Sequence, residues 1–259
     1  MTNKEIFDLV ADFGVTMLAN GGELSRAKVT MEKIAEIYQI REFSVYIIAN
    51  GIFVTGVMGD GSSFSTKVIN VPISPTHLDR VDEVNKLSRD ISTNNVTPEE
   101  AKRRLEIIKT TNLYNFTTVT LATGLGCMAF CYLFKGTFYD CFVVFFVGAL
   151  LNIFSTFISK NPLLPKILKN LFASAFITLL CCFARFLGLG NSVGSMIIGC
   201  IMPLVPGIPL TNSIRHFFDD DYLSGVIRLA DALITALSVA VGVGIVILMW
   251  NSLVGGMIL

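Results

Sequence analysis

Histidine and tryptophan are nearly absent: His77 and His216 stand far apart in polar contexts, and the single tryptophan, Trp250, lies in the last apolar run. A metal cage or a histidine acid–base pair therefore has little to be built from, and no metal and no cofactor is expected. No Gly-x-x-x-x-Gly-Lys phosphate loop and no Gly-x-Gly-x-x-Gly occurs, so ATP-driven work and dinucleotide binding both lack their motif. Lys+Arg and Asp+Glu both number 20, which leaves zero formal net charge and no basic excess for nucleic acid; no nucleic-acid partner is expected. An enzyme would need a nucleophile with its base or a metal cluster. The N-terminal half offers only His77 beside scattered carboxylates, so no catalytic residue is assigned and no enzyme is expected.

Charge is also missing from one half of the chain. Residues 1 to 112 hold 13 of the 20 Lys+Arg and 15 of the 20 Asp+Glu, which leaves 7 and 5 for residues 113 to 259. With 53% hydrophobic residues and a mean hydropathy of +0.65, part of the chain belongs in a lipid bilayer. All six cysteines (Cys127, Cys131, Cys141, Cys181, Cys182 and Cys200) fall in the apolar half, where Cys packs as a small hydrophobe. The fold expected is a membrane α-helical bundle of five transmembrane helices over 113-259, preceded by a small cytoplasmic α+β domain over 1-112. After the opening Met1-Thr2-Asn3-Lys4-Glu5, Asp8 and Asp12 interrupt the first apolar residues, so no signal peptide is expected here.

In the first half, Ile6, Leu9, Val10, Phe13, Met17 and Leu18 follow helical spacing until Asn20-Gly21-Gly22 breaks it. Ser25 is the expected N-cap of a second helix through Met31, Ile34, Ala35 and Tyr38. Strand-like runs at 43 to 49 and 52 to 58 flank Asn50-Gly51, a hairpin signal, and a third run covers 64 to 72. Gly59-Asp60-Gly61 reads as a turn. Helical patterns return at 77 to 92 and 98 to 110, the latter with Thr97 as cap and Pro98 at the first helical position.

Five long apolar segments follow, at 116-134, 138-158, 166-187, 192-211 and 226-250, each close to the span of a bilayer. Lys102, Arg103, Arg104, Lys109, Lys160, Lys166, Lys169, Arg215 and Arg228 fall on one side if the N-terminus is cytoplasmic, against Lys135 and Arg185 on the other. That bias places the C-terminus outside. Gly124, Gly126, Gly148, Ser195, Gly199, Gly242 and Gly244 are small residues of the kind that let membrane helices approach closely.

The fourth segment contains Met202-Pro203-Leu204-Val205-Pro206-Gly207-Ile208-Pro209, three prolines three residues apart. An interior proline removes a donor and clashes with the preceding turn, so no unbroken helix is expected here. Non-helical backbone at membrane depth survives where protein buries it or where it lines a watery cavity, which makes the break a candidate permeation site. Thr211, Asn212, Ser213 and Arg215 follow it at once. Arginine matches a carboxylate with two bonds, and hydroxyls and amides replace a solute's water. The alternative reading is that Arg215 only marks the end of the span. Arg228 and Asp231, three apart, are spaced for an ion pair, and Asp231 is the better candidate for a proton-coupled carboxylate. Asp219-Asp220-Asp221 reads as a solvated loop. Glu23, Ser25 and Arg26 form either a polar docking cluster or ordinary capping and surface charge.

Gly21-Gly22-Glu23-Leu24-Ser25-Arg26 with Met31, the segment Met202 to Arg215, and Ser224-Gly225-Val226-Ile227-Arg228 with Asp231-Ala232-Leu233 together resemble the threonine/serine exporter family. The resemblance includes its split members, in which a soluble-plus-membrane chain works with a smaller membrane protein. The chain departs from the family pattern at Lys28, at His216 and at Asp231, where acidic residues, and finally Glu, are usual. The resemblance implies secondary export of a small amino acid (threonine or serine) or a dicarboxylate (succinate) across a bacterial inner membrane, with a partner of four or five spans as hetero-oligomer. On this reading Pro206, Gly207, Pro209, Thr211, Asn212, Ser213 and Arg215 bind substrate, and Arg228, Asp231, Glu23 and Arg26 serve coupling or gating. The rival class is a non-transporting regulatory or scaffold subunit with a ligand-sensing cytoplasmic domain.

Overall fold

The structure is a computed structural model that describes residues 1–48, 50–58, 63–71, 77–94, 96–111 and 114–254. The turn expected at Gly59-Asp60-Gly61 lies outside the described residues. The chain divides into two compact units, one of Met1–Leu113 with Asn212–Ile227, the other of Tyr114–Thr211 with Arg228–Leu259.

The first unit opens with α1 (Asn3–Ala19), fixed at its start by a capping box: Thr2 Oγ1 accepts from Glu5 N at 3.3 Å, and the Glu5 carboxylate accepts from Thr2 N at 2.8 Å. The helix ends at Gly21, which takes φ +85°, and Gly22 N then donates to Met17 O at 2.8 Å, a Schellman closure. Both glycines are required. Gly21 supplies the left-handed backbone, and a Cβ on Gly22 would lie 2.7 Å from Met17 O. This return sets Glu23, in extended conformation, as the N-cap of α2 (Leu24–Ile37). Ser25 was the expected cap; it sits inside the helix because the glycine pair ends the turn two residues earlier.

Strands β1 (Ile40–Ile48), β2 (Gly51–Met58) and β3 (Ser63–Asn70) form an antiparallel sheet in sequence order. Ile48 pairs with Gly51, so the hairpin expected at Asn50-Gly51 forms with Gly51 as the first residue of β2. Val45, Ile47, Ile52 and Val54 face the core, which they share with Phe7, Val10, Phe13 and Met17 of α1 and Met31 and Ile34 of α2. Helices α3 (Leu78–Asn94) and α4 (Pro98–Thr110) complete the unit, the second capped by Thr97 Oγ1 on Glu100 N as its sequence announced. Tyr38 OH donates to Val96 O at 3.1 Å, and burial pushes its phenol up to about 12.

The second unit is helical: α5 (Phe116–Leu133), α6 (Phe138–Ser159), α7 (Lys166–Phe186), α8 (Val193–Ile201), the first turn of α9 (Gly207–Phe218) and most of α10 (Tyr222–Val254). Four of these helices, α5, α6, α7 and α10, are long and apolar enough to cross a membrane. Large apolar side chains such as Phe146, Phe157, Leu237 and Leu248 stand on their outer faces, a surface suited to lipid rather than water. Inside, the cysteines pack as expected: all six are free and buried, with Cys127, Cys131, Cys181 and Cys200 among Val144, Leu151, Ile177 and Met196.

The small residues divide into two groups. A Cβ on Gly148 would lie 2.7 Å from Cys127 Sγ, one on Gly124 2.7 Å from Phe145 O, and one on Gly199 2.9 Å from Cys127 O, so these positions let α5, α6 and α8 touch through their backbones. Gly126 and Gly244 meet nothing within 4 Å. Close packing accounts for the first group only. Introducing Val at position 148 overpacks the α5 and α6 contact and lowers stability by about 1–3 kcal/mol. Gly126→Val leaves the contact alone, and thermal unfolding of the two variants in detergent separates them.

Candidate solute site at the broken span

Proline at 203, 206 and 209 deletes the donors that a continuous helix would aim at the carbonyls of Gly199, Met202 and Val205. The chain answers by tightening. After α8 comes one 3₁₀ turn, Met202–Leu204, closed by Val205 N on Met202 O at 3.2 Å, and Gly207 N then reaches Val205 O at 2.8 Å. Helix α9 starts at Gly207, which places Pro209 in its first turn, where a helix needs no donor. The axis bends by 58° across the break. Pro206, Val205 and Ile201 border an apolar groove of about 420 Å³ against Val239 and Val243 of α10, and Met202 and Pro203 border another of about 460 Å³ against α5.

The polar residues after the break do not converge on one point, because helical rotation sorts them to two faces. Gly207, Thr211 and Arg215 share an exposed face, while Ser213 and His216 are buried on the other and Asn212 is half-buried between them. Thr211 Oγ1 turns back to Gly207 O at 3.1 Å and Ile208 O at 3.0 Å. Arg215 is engaged within the first unit: its Nη1 donates to Glu23 Oε2 at 2.7 Å. Glu23 also receives Ser25 Oγ at 2.6 Å and lies 3.5 Å from Arg26 Nε. The Gly21-Gly22 turn and the end of α9 thus meet through one carboxylate flanked by two guanidinium groups. Sequence spacing had named Glu23, Arg26 and Arg215 separately; the fold joins them.

Asp231, on α10 within the second unit, binds Lys166 Nζ through both oxygens at 2.9 and 3.0 Å. The i, i+3 spacing had pointed to Arg228, and Lys166, at the first turn of α7, could not have been named from local sequence. Asp231 is one-fifth exposed and Lys166 half exposed, so the pair sits at the rim of the apolar unit.

Two features escaped the reading of motifs. Asp140 is fully buried at the start of α6, where it accepts from Thr137 N at 2.8 Å and from Asn191 N at 2.6 Å, tying the α5–α6 turn to the α7–α8 turn. Its signal was present as the capping box Thr137-x-x-Asp140. Gly190-Asn191-Ser192-Val193-Gly194 has the Gly-x-Ser-x-Gly spacing of a nucleophile elbow, but no strand leads into it and Ser192 caps α8 through Ser195 N. Among the described residues no three His, Cys, Asp or Glu side chains are arranged to hold a metal.

Several long apolar helices, one further segment broken at prolines, and a separate unit of helices and sheet are the build of a multi-pass membrane protein. The chain belongs to the threonine/serine exporter family, which matches residues 8–250, and that family is one of transporters, not enzymes. A protein named a probable threonine/serine exporter in Mycobacterium tuberculosis is 22% identical over 93% of this chain and 45% of its own length. The Escherichia coli protein named probable succinate transporter subunit YjjP is 27% identical over 51% of this chain and 52% of its own, and its namesake in Klebsiella aerogenes is 26% identical over 51% and 52%. The matched stretch therefore spans about half the length of these relatives. No solved structure matches the chain.

The Glu23 and Arg215 contact is directly measurable. A double-mutant cycle with Glu23→Gln and Arg215→Gln, read by thermal unfolding of the whole chain, gives a coupling of about 0.5–1 kcal/mol, the upper range for a half-exposed ion pair. Two additive single substitutions would show that the pair does not form.

Proposed function

We propose that this chain is a subunit of a secondary transporter that exports small amino acids (threonine or serine) or dicarboxylates (succinate) across a bacterial inner membrane. Its residues 1-112 form a cytoplasmic α+β domain, and 113-259 cross the membrane five times, N-terminus inside and C-terminus outside. The observation that carries this reading is the proline break, a 58° bend inside the apolar segment that is followed along α9 by the exposed Thr211 and Arg215. The family and the names of its relatives support the class of solute. YjjP is named a subunit, which supports a second, smaller membrane protein of four or five spans as partner.

The geometry gives the proposal a mechanism. A solute carboxylate reaching Arg215 competes with the Glu23 carboxylate for the same guanidinium fork, so binding and release of the Glu23 contact are one event. Pro206, Gly207 and Pro209 shape the break that precedes this face, and half-buried Asn212 adds a polar contact, whereas Ser213, buried on the opposite face of α9, does not reach the same solute. Glu23 and Arg26 act as the gate. Asp231 is the coupling group: a proton on its carboxylate removes the charge that holds Lys166, with Arg228 one turn away on the same helix.

Efflux measured from cells lacking this chain, with and without its partner restored, tests the proposal. Arg215→Gln lowers efflux of the exported solute about tenfold or more, as the loss of one charge-assisted bond requires, while the protein still assembles. Asp231→Asn abolishes the response of efflux to the transmembrane proton gradient. Unchanged efflux of threonine, serine and succinate in the deletion strain overturns the assignment, and full flux in both point variants favours the scaffold class.

A further inference from the structure

The first unit contains a recess of about 360 Å³, within the range of small-molecule sites, whose walls come from three separate elements. Leu24, Ser25 and Lys28 of α2 form one wall, Val45, Tyr46 and Ile47 of β1 another, and His216 with Asp219, Asp220 and Asp221 the third. The acidic wall is held in place by backbone bonds. Asp219 N donates to Arg215 O and Asp221 N to His216 O, both at 2.9 Å, and Asp220 takes the left-handed conformation at φ +57°, so α9 ends in a Schellman closure with an aspartate where glycine is usual. Asp221 then caps α10 by accepting from Ser224 N at 3.2 Å. Three carboxylates against one lysine leave the recess net negative. Lys28 is only loosely balanced by Glu32, 3.9 Å away on the exposed side of α2.

We infer that this recess is a second ligand site, separate from the break, for a small solute bearing a primary ammonium group and an anionic group: the ammonium faces Asp219 to Asp221 and the anionic group faces Lys28. A dianion such as a dicarboxylate is rejected, because the recess places three carboxylates against it for a single cation. The exposed ring of Tyr46 carries the uncharged part of the solute, since Val45 and Ile47 turn their side chains into the core. The site also has a consequence for Arg215. Its walls include α2 directly after Glu23 and the turn directly after α9, so an occupant braces both elements that the Glu23 and Arg215 bond joins. The solute acts as a regulator of that bond, whichever solute crosses at the break.

Equilibrium binding of radiolabelled L-threonine to the full chain in detergent tests this, with succinate and 1,4-diaminobutane as competitors. Saturable binding is expected that persists in Arg215→Gln, where the break has lost its partner for a carboxylate, that succinate does not displace in that variant, and that diaminobutane, a dication matched to the net negative recess, does displace. Lys28→Gln weakens it at least fivefold and the pair Asp219→Asn with Asp220→Asn abolishes it, while Arg215→Gln retains it. Because Lys28 is half exposed, its variant folds and keeps the test valid even if the aspartate variant does not. Loss of binding in Arg215→Gln but not in Lys28→Gln places the solute at the break alone and overturns this inference while leaving the transport proposal intact. Absence of saturable binding in Arg215→Gln, or displacement by succinate of the binding that variant retains, overturns it as well. Failure of the transport proposal is read separately, from efflux.

Discussion

A backbone carbonyl inside a bilayer has no water to bond, so each donor removed from an apolar span must be answered by the protein itself. Three prolines three residues apart remove three donors from one apolar segment, and the arrangement around residues 199 to 209 follows from that deficit. The helix stops at Ile201, winds one 3₁₀ turn, and restarts at Gly207 with Pro209 in the only turn that tolerates it. Restarting there sets the rotation of α9, and the rotation decides which side chains are exposed. Thr211 and Arg215 share the exposed face because they lie four residues apart; Ser213 and His216 are buried for the same reason.

The few charges of the apolar half are spent in a consistent way. Asp140 is sunk at a helix start and satisfied by backbone donors from two turns, Asp231 takes both oxygens to Lys166, and Arg215 reaches Glu23. Burying a charge without a partner is costly, and these groups have found partners from distant parts of the chain. Asp140 serves architecture, with its donors fixed by main-chain geometry. The other two pairs join side chains at partly exposed positions, where solvent, protons and solutes can compete for them. That contrast separates a carboxylate fixed by main-chain donors from two held by exposed side chains.

Much of this was legible in the sequence. The long apolar helices, the hairpin, the Thr97 cap and the proline break follow from period, length and local chemistry, which act over a few residues. The Ser25 cap was misread because cap preference is a weaker force than the Gly21-Gly22 closure that precedes it. Spacing paired Asp231 with Arg228, whose charge it acts on, but its bridge to Lys166 spans 65 residues and exists only once α7 and α10 pack. The joining of Glu23 to Arg215 spans 192 residues and was equally out of reach, although both had been singled out for their charge. The glycines show the same limit. Gly124 and Gly126 look alike in the sequence, yet one meets a neighbouring backbone and the other meets open space.

The central claim is that solute passes the break along the exposed face of α9. It is tested most directly by placing a single cysteine at position 211, in a chain whose six buried cysteines have been replaced, and labelling it with a membrane-impermeant maleimide. The account predicts labelling from the cytoplasmic side and slower labelling as the exported solute is added. Labelling at a rate independent of every solute tried, or no labelling from either side, would contradict it.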